Sequence, residues 1–443
     1  MSNSINRRKF IKTTALTGAA MGLSGSLAFS RGKKSANEKV VVALMGGRGR
    51  AGALANSFAS VEGTEIAYIF DVDERPLKEL ANKVGEIQGR TPQTGTDFRK
   101  GLEDPDVDAL VIAAPDHWHT TASIMAMQAG KHVYVEKPAS HNAREAELIV
   151  KAQQRYGKIV QMGNQQRSSH ETFGAMQDIS DGLIGTPYYA KAFYANSRGS
   201  IGSGKVANVP TWLDYDLWQG PAPRTPYRDN TIHYNWHWFQ RWGTGEICNN
   251  GTHEIDICRW ALGVEYPNRV SSTGGRFHFK DDWEFYDTQN VTFEYADGKA
   301  INWEGRSTNG YGFWGRGRGA TIHGTKGTIL IDRNGYQLFD LDNELVKSNL
   351  KSDQTDSLDT VGGGSMVDNH VSNFAASIRQ VETLNSPIVE GQKTTMLCHL
   401  GNISQKVNRS LNINTENGHI INDYGALKHW GRNYERGWEP NIG

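Results

Sequence analysis

The chain has 443 residues with Lys+Arg and Asp+Glu balanced at 48 each, and no long basic run marks a nucleic-acid footprint, so a small molecule is the expected partner. Three cysteines, Cys248, Cys258 and Cys398, are odd in number and lack metal-ligand spacing, which argues against a disulfide framework and for small buried apolar groups. Without its first 30 residues the chain still exceeds what one core usually serves, so two domains are expected.

The N-terminus reads as a twin-arginine export signal. Arg7-Arg8-Lys9-Phe10 and Lys12 precede an uncharged stretch from Thr13 to Phe29, with small residues near Ala28-Phe29-Ser30. An amphipathic N-terminal helix is the alternative. Gly, Ser and Thr dilute the stretch below the ~20 strongly apolar residues of a membrane span, and no other segment reads as one. Twin-arginine signals mark proteins exported already folded, so the expected location is the periplasm, and residues 1–30 are left out of the fold.

From Lys39 short apolar runs alternate with helical patterns, the sign of a parallel sheet wound by crossover helices. Strands are expected at Val40–Met45, Ile66–Phe70, Gln93–Thr96, Ala109–Ala114, His132–Val135 and Ile159–Met162, with a helix over Thr120–Ala129. This predicts a Rossmann dinucleotide-binding domain over residues 38–163. Gly47-Arg48-Gly49-Arg50-Ala51-Gly52 follows the first apolar strand and opens a helical stretch, and Asp71 ends the second strand 19 residues beyond Gly52. A lone G-x-G-x-x-G carries little weight, but this context is what the fingerprint demands. Gly47 is expected to permit the tight turn, Gly49 to let backbone approach a pyrophosphate, and Gly52 to allow close helix–strand packing. Gly47, Gly49, Arg50, Gly52 and Asp71 are thus the expected cofactor-binding set. Asp71 would accept a bond from the ribose 2′-hydroxyl and repel a 2′-phosphate, which favours NAD; a helix N-cap is its other reading.

Beyond residue 165 the pattern becomes antiparallel. Alternating segments at Thr186–Tyr194, Val270–Phe279, Thr288–Tyr295, Ala300–Arg306 and Ala320–Ile331 are joined by Gly-Thr, Asp297-Gly298 and Asn334-Gly335 turns. An α+β domain over 164–410 is expected, a large open sheet with helices on one face. Helical patterns at Asp368–Thr383 and Gly391–Leu411 pack back on the body, and 411–443, with Trp430 and Trp438, forms an ordered wrap.

Ala113-Ala114-Pro115-Asp116-His117-Trp118-His119, Glu136-Lys137-Pro138 and Gly243-Thr244-Gly245-Glu246-Ile247-Cys248-Asn249-Asn250-Gly251-Thr252-His253-Glu254-Ile255-Asp256 resemble signatures of the glucose-fructose oxidoreductase / inositol dehydrogenase / rhizopine catabolism (Gfo/Idh/MocA) family. The likeness spans roughly residues 38–410. It implies that Lys137 lies beside the nicotinamide and orients the substrate hydroxyl, and that Pro115, His119 and Glu136 border the cofactor. The family's Asp-x-x-x-His pair falls on Asn249 and His253, with the histidine as proton acceptor. Asparagine cannot take up a proton, so acid/base work concentrates on His253 and Lys137, and Asn249 orients. A surface role for Lys137 and a core or capping role for His253 are the bland alternatives. At spacing i, i+4 Asn249 and His253 share one face if the stretch is α-helical. Asp256 reads as structural. Asn164 and Gln165, with Arg167 beside them, resemble a position near the substrate. His117 and His119 flank Trp118 without a matched acidic or cysteine cluster, so no metal is expected.

Aromatic residues crowd Thr211–Trp242, where most build core. Flat rings with polar neighbours also suit the apolar faces of sugars, and Tyr234, Trp236 and His237 are the expected substrate-binding residues. Three functional classes follow. The first is an NAD-dependent oxidoreductase of a sugar, sugar derivative or cyclitol with tightly held cofactor. The second is a redox-neutral, NAD-dependent glycoside hydrolase working by oxidation, elimination and reduction, and the third is a non-catalytic sugar-binding protein with structural NAD. A homo-oligomer through the second-domain sheet is the expected assembly.

Overall fold

The computed structural model describes residues 39–351 and 364–443; the proposed export signal lies outside them. Within them, six strands form a parallel sheet: β1 (Val40–Met45), β2 (Thr64–Phe70), β3 (Gln93–Gly95), β4 (Ala109–Ile112), β5 (His132–Val135) and β6 (Val160–Met162). Their order is β3-β2-β1-β4-β5-β6, the doubly wound arrangement whose direction reverses between β1 and β4. The strands read as unbroken Val/Ile/Leu runs because helices cover both faces: β4 is buried at every position. The crossovers carry α1 (Arg50–Ser60), α2 (Leu77–Gln88), α3 (Arg99–Glu103), α4 (Asp116–Gln128) and α5 (Ala143–Tyr156). The fourth strand ends two residues before its expected bound, and α4 starts four residues early, so Pro115-Asp116-His117-Trp118-His119 is a helix N-terminus.

A nine-stranded sheet follows, ordered β14-β13-β12-β11-β7-β10-β9-β8-β15. It comprises β7 (Pro187–Ala195), β8 (Arg269–Gly275), β9 (Thr288–Glu294), β10 (Ala300–Arg306), β11 (Arg318–Gly324), β12 (Thr328–Asp332), β13 (Gly335–Phe339), β14 (Leu345–Leu350) and β15 (Leu411–Asn412). Only the β7–β10 pair is parallel. Along β9 and β10 buried and half-exposed residues alternate, as one covered face requires. The single segment expected over Ala320–Ile331 is instead a hairpin. Gly324-Thr325-Lys326-Gly327 closes on itself, Gly324 donating to the Gly327 carbonyl at 2.9 Å, and this turn overrides the alternation on either side.

The remaining helices are α6 (His170–Ser180), α7 (Tyr215–Gln219), α8 (Thr252–Leu262), α9 (Ser365–Ile378), α10 (Ile388–Val407) and α11 (Tyr424–Leu427). Helices α8 and α10 cover the inner face of the large sheet, where Ile255, Leu397, Phe293 and the fully buried Trp303 share one core. Helix α9 joins the core of the first sheet, Phe374 meeting Tyr134 edge-on at 5.8 Å and Phe58 at 6.3 Å. The chain's end returns to the first sheet as well. Trp438 stands edge-on to Trp118 at 5.1 Å, and the carbonyls of Asn441 and Ile442 accept bonds from Gln128 and Tyr156. No helix among the described residues is long and apolar enough to cross a membrane.

Candidate active site

A cleft of about 380 Å³ opens over the carboxyl ends of β1, β2, β4 and β5, where this topology places ligands. The glycine loop forms one wall. The left-handed geometry of the turn falls on Gly46 (φ 122°) and Gly49 (φ 45°), not on Gly47. A side-chain carbon at Gly46 would strike the Ala113 carbonyl at 2.8 Å, whereas at Gly49 and Gly52 it would meet nothing within 4 Å. Gly52 therefore leaves open space at the start of α1 and does not bring helix and strand into contact. Gly47 instead faces Asp71, its N–H donating to Oδ2 at 2.6 Å while the Asp73 N–H donates to Oδ1 at 2.8 Å. Burial pushes the Asp71 carboxyl up to about 6, against the pull of these two amides.

The open cradle above Gly49, the N-terminus of α1 and a carboxylate at the tip of β2 together fit a dinucleotide's pyrophosphate and ribose. Asp73 organises the far side. Fully buried, it accepts from Arg48 at 2.7 Å, Arg75 at 2.8 Å and His233 at 2.9 Å. Burial opposes its charge, but these donors hold it well below the usual carboxylate range.

Lys137 stands at the cleft floor. Its Nζ donates to the Asn249 carbonyl at 2.6 Å and to Asn249 Oδ1 at 3.1 Å. Burial lowers its pKa from the ordinary lysine value, against the carboxylates of Glu136 and Asp116. Glu136 is held by Arg50 Nε at 2.8 Å and by Gln165 Nε2 at 2.8 Å; burial raises its pKa, but Arg50 and Lys137 bring it below the ordinary value. His119 is clamped by carbonyls at both ring nitrogens, Pro138 at 2.5 Å and Ala114 at 2.8 Å. His117 bonds the Trp218 carbonyl at 2.9 Å, and burial pushes it down to about 3.

Asn249 lies in a π-helical turn, Ile247–Gly251, that runs into α8. Such wide turns break the 3.6-residue register, and here Asn249 lines the cleft while His253 does not. His253 is buried behind it. Burial, with Arg333, Lys137, Arg318 and Arg50 nearby, drives its pKa well below the ordinary value.

The aromatic segment forms the opposite wall. Tyr234, Trp236 and His237 all line the cleft, Trp236 and His237 stacked 3.6 Å apart. His237 Nδ1 faces the Tyr234 carbonyl at 2.5 Å, which assigns the proton to Nδ1 and leaves Nε2 an acceptor. Burial pushes this ring down to about 3. Tyr234 OH accepts from Arg198, whose Nε also donates to the buried Glu246 at 2.9 Å.

The structure thus gathers Gly47, Gly49, Arg50, Asp71, Pro115, His119, Glu136, Lys137, Asn249, Tyr234, Trp236 and His237 around one cleft. Gly52, Asn164, Gln165 and His253 are not on its lining. Gln165 bonds Tyr134 OH at 2.9 Å as well as Glu136, so it supports from behind, and Arg167 pairs with Asp256 at 2.6 Å. Asp116, on the cleft and bonded to Thr244 Oγ1 at 2.5 Å, was passed over in the sequence although it sits inside the Pro-Asp-His-Trp-His signature. Asp73 and Arg198 carried no local signal, and Glu246, inside the Gly243–Asp256 signature, was given no role.

A doubly wound sheet with a glycine cradle, joined to an open antiparallel sheet that walls the cleft, defines a two-domain dinucleotide-binding protein. Residues 40–164 match the model of the oxidoreductase family with an NAD-binding Rossmann fold, and residues 191–439 match that family's C-terminal alpha/beta domain. The chain belongs to the Gfo/Idh/MocA oxidoreductase family. It is 30% identical over 207 residues to a glycosyl hydrolase family 109 protein of Solibacter usitatus, covering 44% of this chain and 47% of that one. To the scyllo-inositol 2-dehydrogenase (NAD(+)) of Bacillus subtilis it is 27% identical over 284 residues, 64% and 70% of the two chains. The chain spans about half the length of the family 109 relatives it matches. Its fold is that of an NAD-binding oxidoreductase from Klebsiella pneumoniae, with a TM-score of 0.65 at 19% identity, covering 84% and 99% of the chains.

Proposed function

We propose that the protein oxidises a CH–OH group of a sugar, sugar derivative or cyclitol held between Lys137 and the Tyr234–His237 wall. The observation that carries this reading is Lys137, a cation on the floor of the cleft, oriented by Asn249 and facing an aromatic wall suited to sugar rings. NAD, when bound, supplies the hydride acceptor. Gly47, Gly49, Arg50 and Asp71 hold it, with Pro115, His119 and Glu136 along its path. Lys137 donates to the reacting hydroxyl oxygen and lowers the cost of losing its proton. His253 takes that proton through Lys137; His237, whose free Nε2 belongs to a cleft-lining ring, is the competing acceptor.

A second reading is supported by the family 109 relatives. Oxidation of a ring hydroxyl acidifies the neighbouring C–H, loss of that proton expels the aglycone, water adds to the unsaturated ketone that remains, and the two electrons return to the ketone. Both readings include export in the folded state with the nucleotide captive. The deciding experiment purifies the mature protein from periplasm, releases its nucleotide with acid, and screens polyols, sugars and glycosides without added cofactor. Near-stoichiometric NAD surviving gel filtration is expected. Empty protein would end the captive-cofactor argument, and glycoside cleavage without net NADH would select the second reading.

Asp71→Ala is expected to weaken NAD binding roughly tenfold to a hundredfold, the worth of a hydrogen bond to a carboxylate, and to relax rejection of NADP. With its carboxyl pushed up to about 6, Asp71 is ionised above that pH and neutral below it. NAD affinity of the wild type therefore falls as pH drops through about 6, and the alanine variant loses that dependence. Fluorescence titration at pH 5 to 8 checks both. A flat wild-type profile sinks the role given to Asp71.

A further inference from the structure

A second cavity of about 220 Å³ shares no lining residue with the cleft. His141 and Asn142 at the start of α5, Asn402 and Lys406 on α10, and Arg432 in the C-terminal segment border it. Five buried polar atoms there have no hydrogen-bond partner among the described residues. They are Asn142 Nδ2, Arg432 Nη1, Asn402 Oδ1 and both ring nitrogens of His141, a ring with the Gln240 backbone, Arg432, His117 and His399 around it. Native proteins leave few such groups unsatisfied, and five in one cavity imply an occupant.

The neighbours fix what each group offers. Asn142 Oδ1 caps α5 by accepting from the Glu145 N–H at 3.1 Å, so its amide nitrogen is left as a donor. Asn402 Nδ2 donates to the Thr244 carbonyl at 2.8 Å, which leaves its oxygen as an acceptor. Arg432 spends Nε on Glu145 at 2.8 Å and Nη2 on the His117 carbonyl at 2.7 Å, and Nη1 remains. Lys406 Nζ reaches Gln240 Oε1 at 2.8 Å on the rim. No carboxylate lines the cavity, although Glu145 pairs with Arg432 beside it; two permanent cations, three histidines whose pKa burial lowers, and the N-terminus of a 14-residue helix do. Donors and positive charge thus outnumber a single fixed acceptor.

We propose that this cavity binds a small oxyanion bearing a hydroxyl, with Asn142, His141, Arg432 and Lys406 donating and Asn402 accepting from the O–H. Hydrogen phosphate and hydroxy carboxylates share that chemistry.

The test is calorimetric titration of the purified full-length protein with inorganic phosphate, citrate and sulfate. Saturable binding of phosphate or citrate is expected, with sulfate, which has no O–H near neutral pH, weaker. Which of the two binds more tightly identifies the source of the oxyanion. Lys406→Gln, at an exposed position, weakens binding by about tenfold, the worth of one charge-assisted bond. Arg48→Gln, in the cleft, leaves it unchanged. Absence of saturable binding by both phosphate and citrate, equal affinity in Lys406→Gln, or a loss confined to Arg48→Gln would each overturn the site. Sulfate binding as tightly as phosphate would overturn the hydroxyl requirement.

Discussion

Replacing Lys137 by alanine is expected to lower kcat by ~10²–10⁴, the range of a positioned acid or base, while NAD stays bound. The ammonium bonds Asn249, so its loss removes the group facing the substrate and leaves the Gly47–Asp71 bond of the cradle in place. His253→Ala should fall in the same range if the proton passes through Lys137. Full turnover in His253→Ala with a large loss in His237→Ala would transfer the proton-acceptor role to the cleft-lining ring. Asn249→Asp separates orientation from titration. A carboxylate 3.1 Å from Nζ favours the ammonium and opposes the lowering that burial imposes. The limb of kcat/KM that falls at high pH as Lys137 loses its proton would then shift to higher pH. An unmoved limb would show that Lys137 does not set it.

Glu254→Ala is expected to destabilise the protein by ~3–5 kcal/mol, the cost of leaving one member of a buried ion pair unpaired. Arg318, fully buried on β11, donates to the two Glu254 oxygens at 2.7 and 3.0 Å, and Glu254 is 2% exposed. Urea denaturation monitors the loss. The double variant Arg318→Met with Glu254→Leu removes both charges and should recover most of the stability, since apolar replacements of buried pairs are often neutral. A single variant within about 1 kcal/mol of wild type would mean that the arginine finds another partner or reaches water.

The first sheet was legible because its strands are continuous apolar runs separated by turn signals: β1 and β5 fall on their expected bounds to the residue. Its helix starts were less so, since α4 begins in a histidine-rich stretch with a proline before it. In the second domain Asp297-Gly298 and Asn334-Gly335 mark real hairpins, but β13 and β14 beyond the latter were missed; β14 is exposed along nearly its whole length and half polar, so no buried face marks it. In the cleft, most of the lining residues carried by contiguous motifs were found, Asp116 excepted. Those acting through distant partners were not: Asp73 gathers Arg48 and His233 from opposite walls, and Arg198 links Glu246 to Tyr234. The i, i+4 reading of Asn249 and His253 failed at the cleft surface because a π-helical turn has no distinctive composition.

The first sheet is completed from the far end of the sequence. Phe374 fills the core beside Phe58, and Trp438 covers Trp118 on the helix that carries Asp116 and His119. During synthesis two side chains of that half's core are therefore made more than 200 residues after β6, and its packing is finished only once they have emerged. A chain stopped before Trp438 would lose the edge-on ring that covers one side of Trp118 beside the cleft.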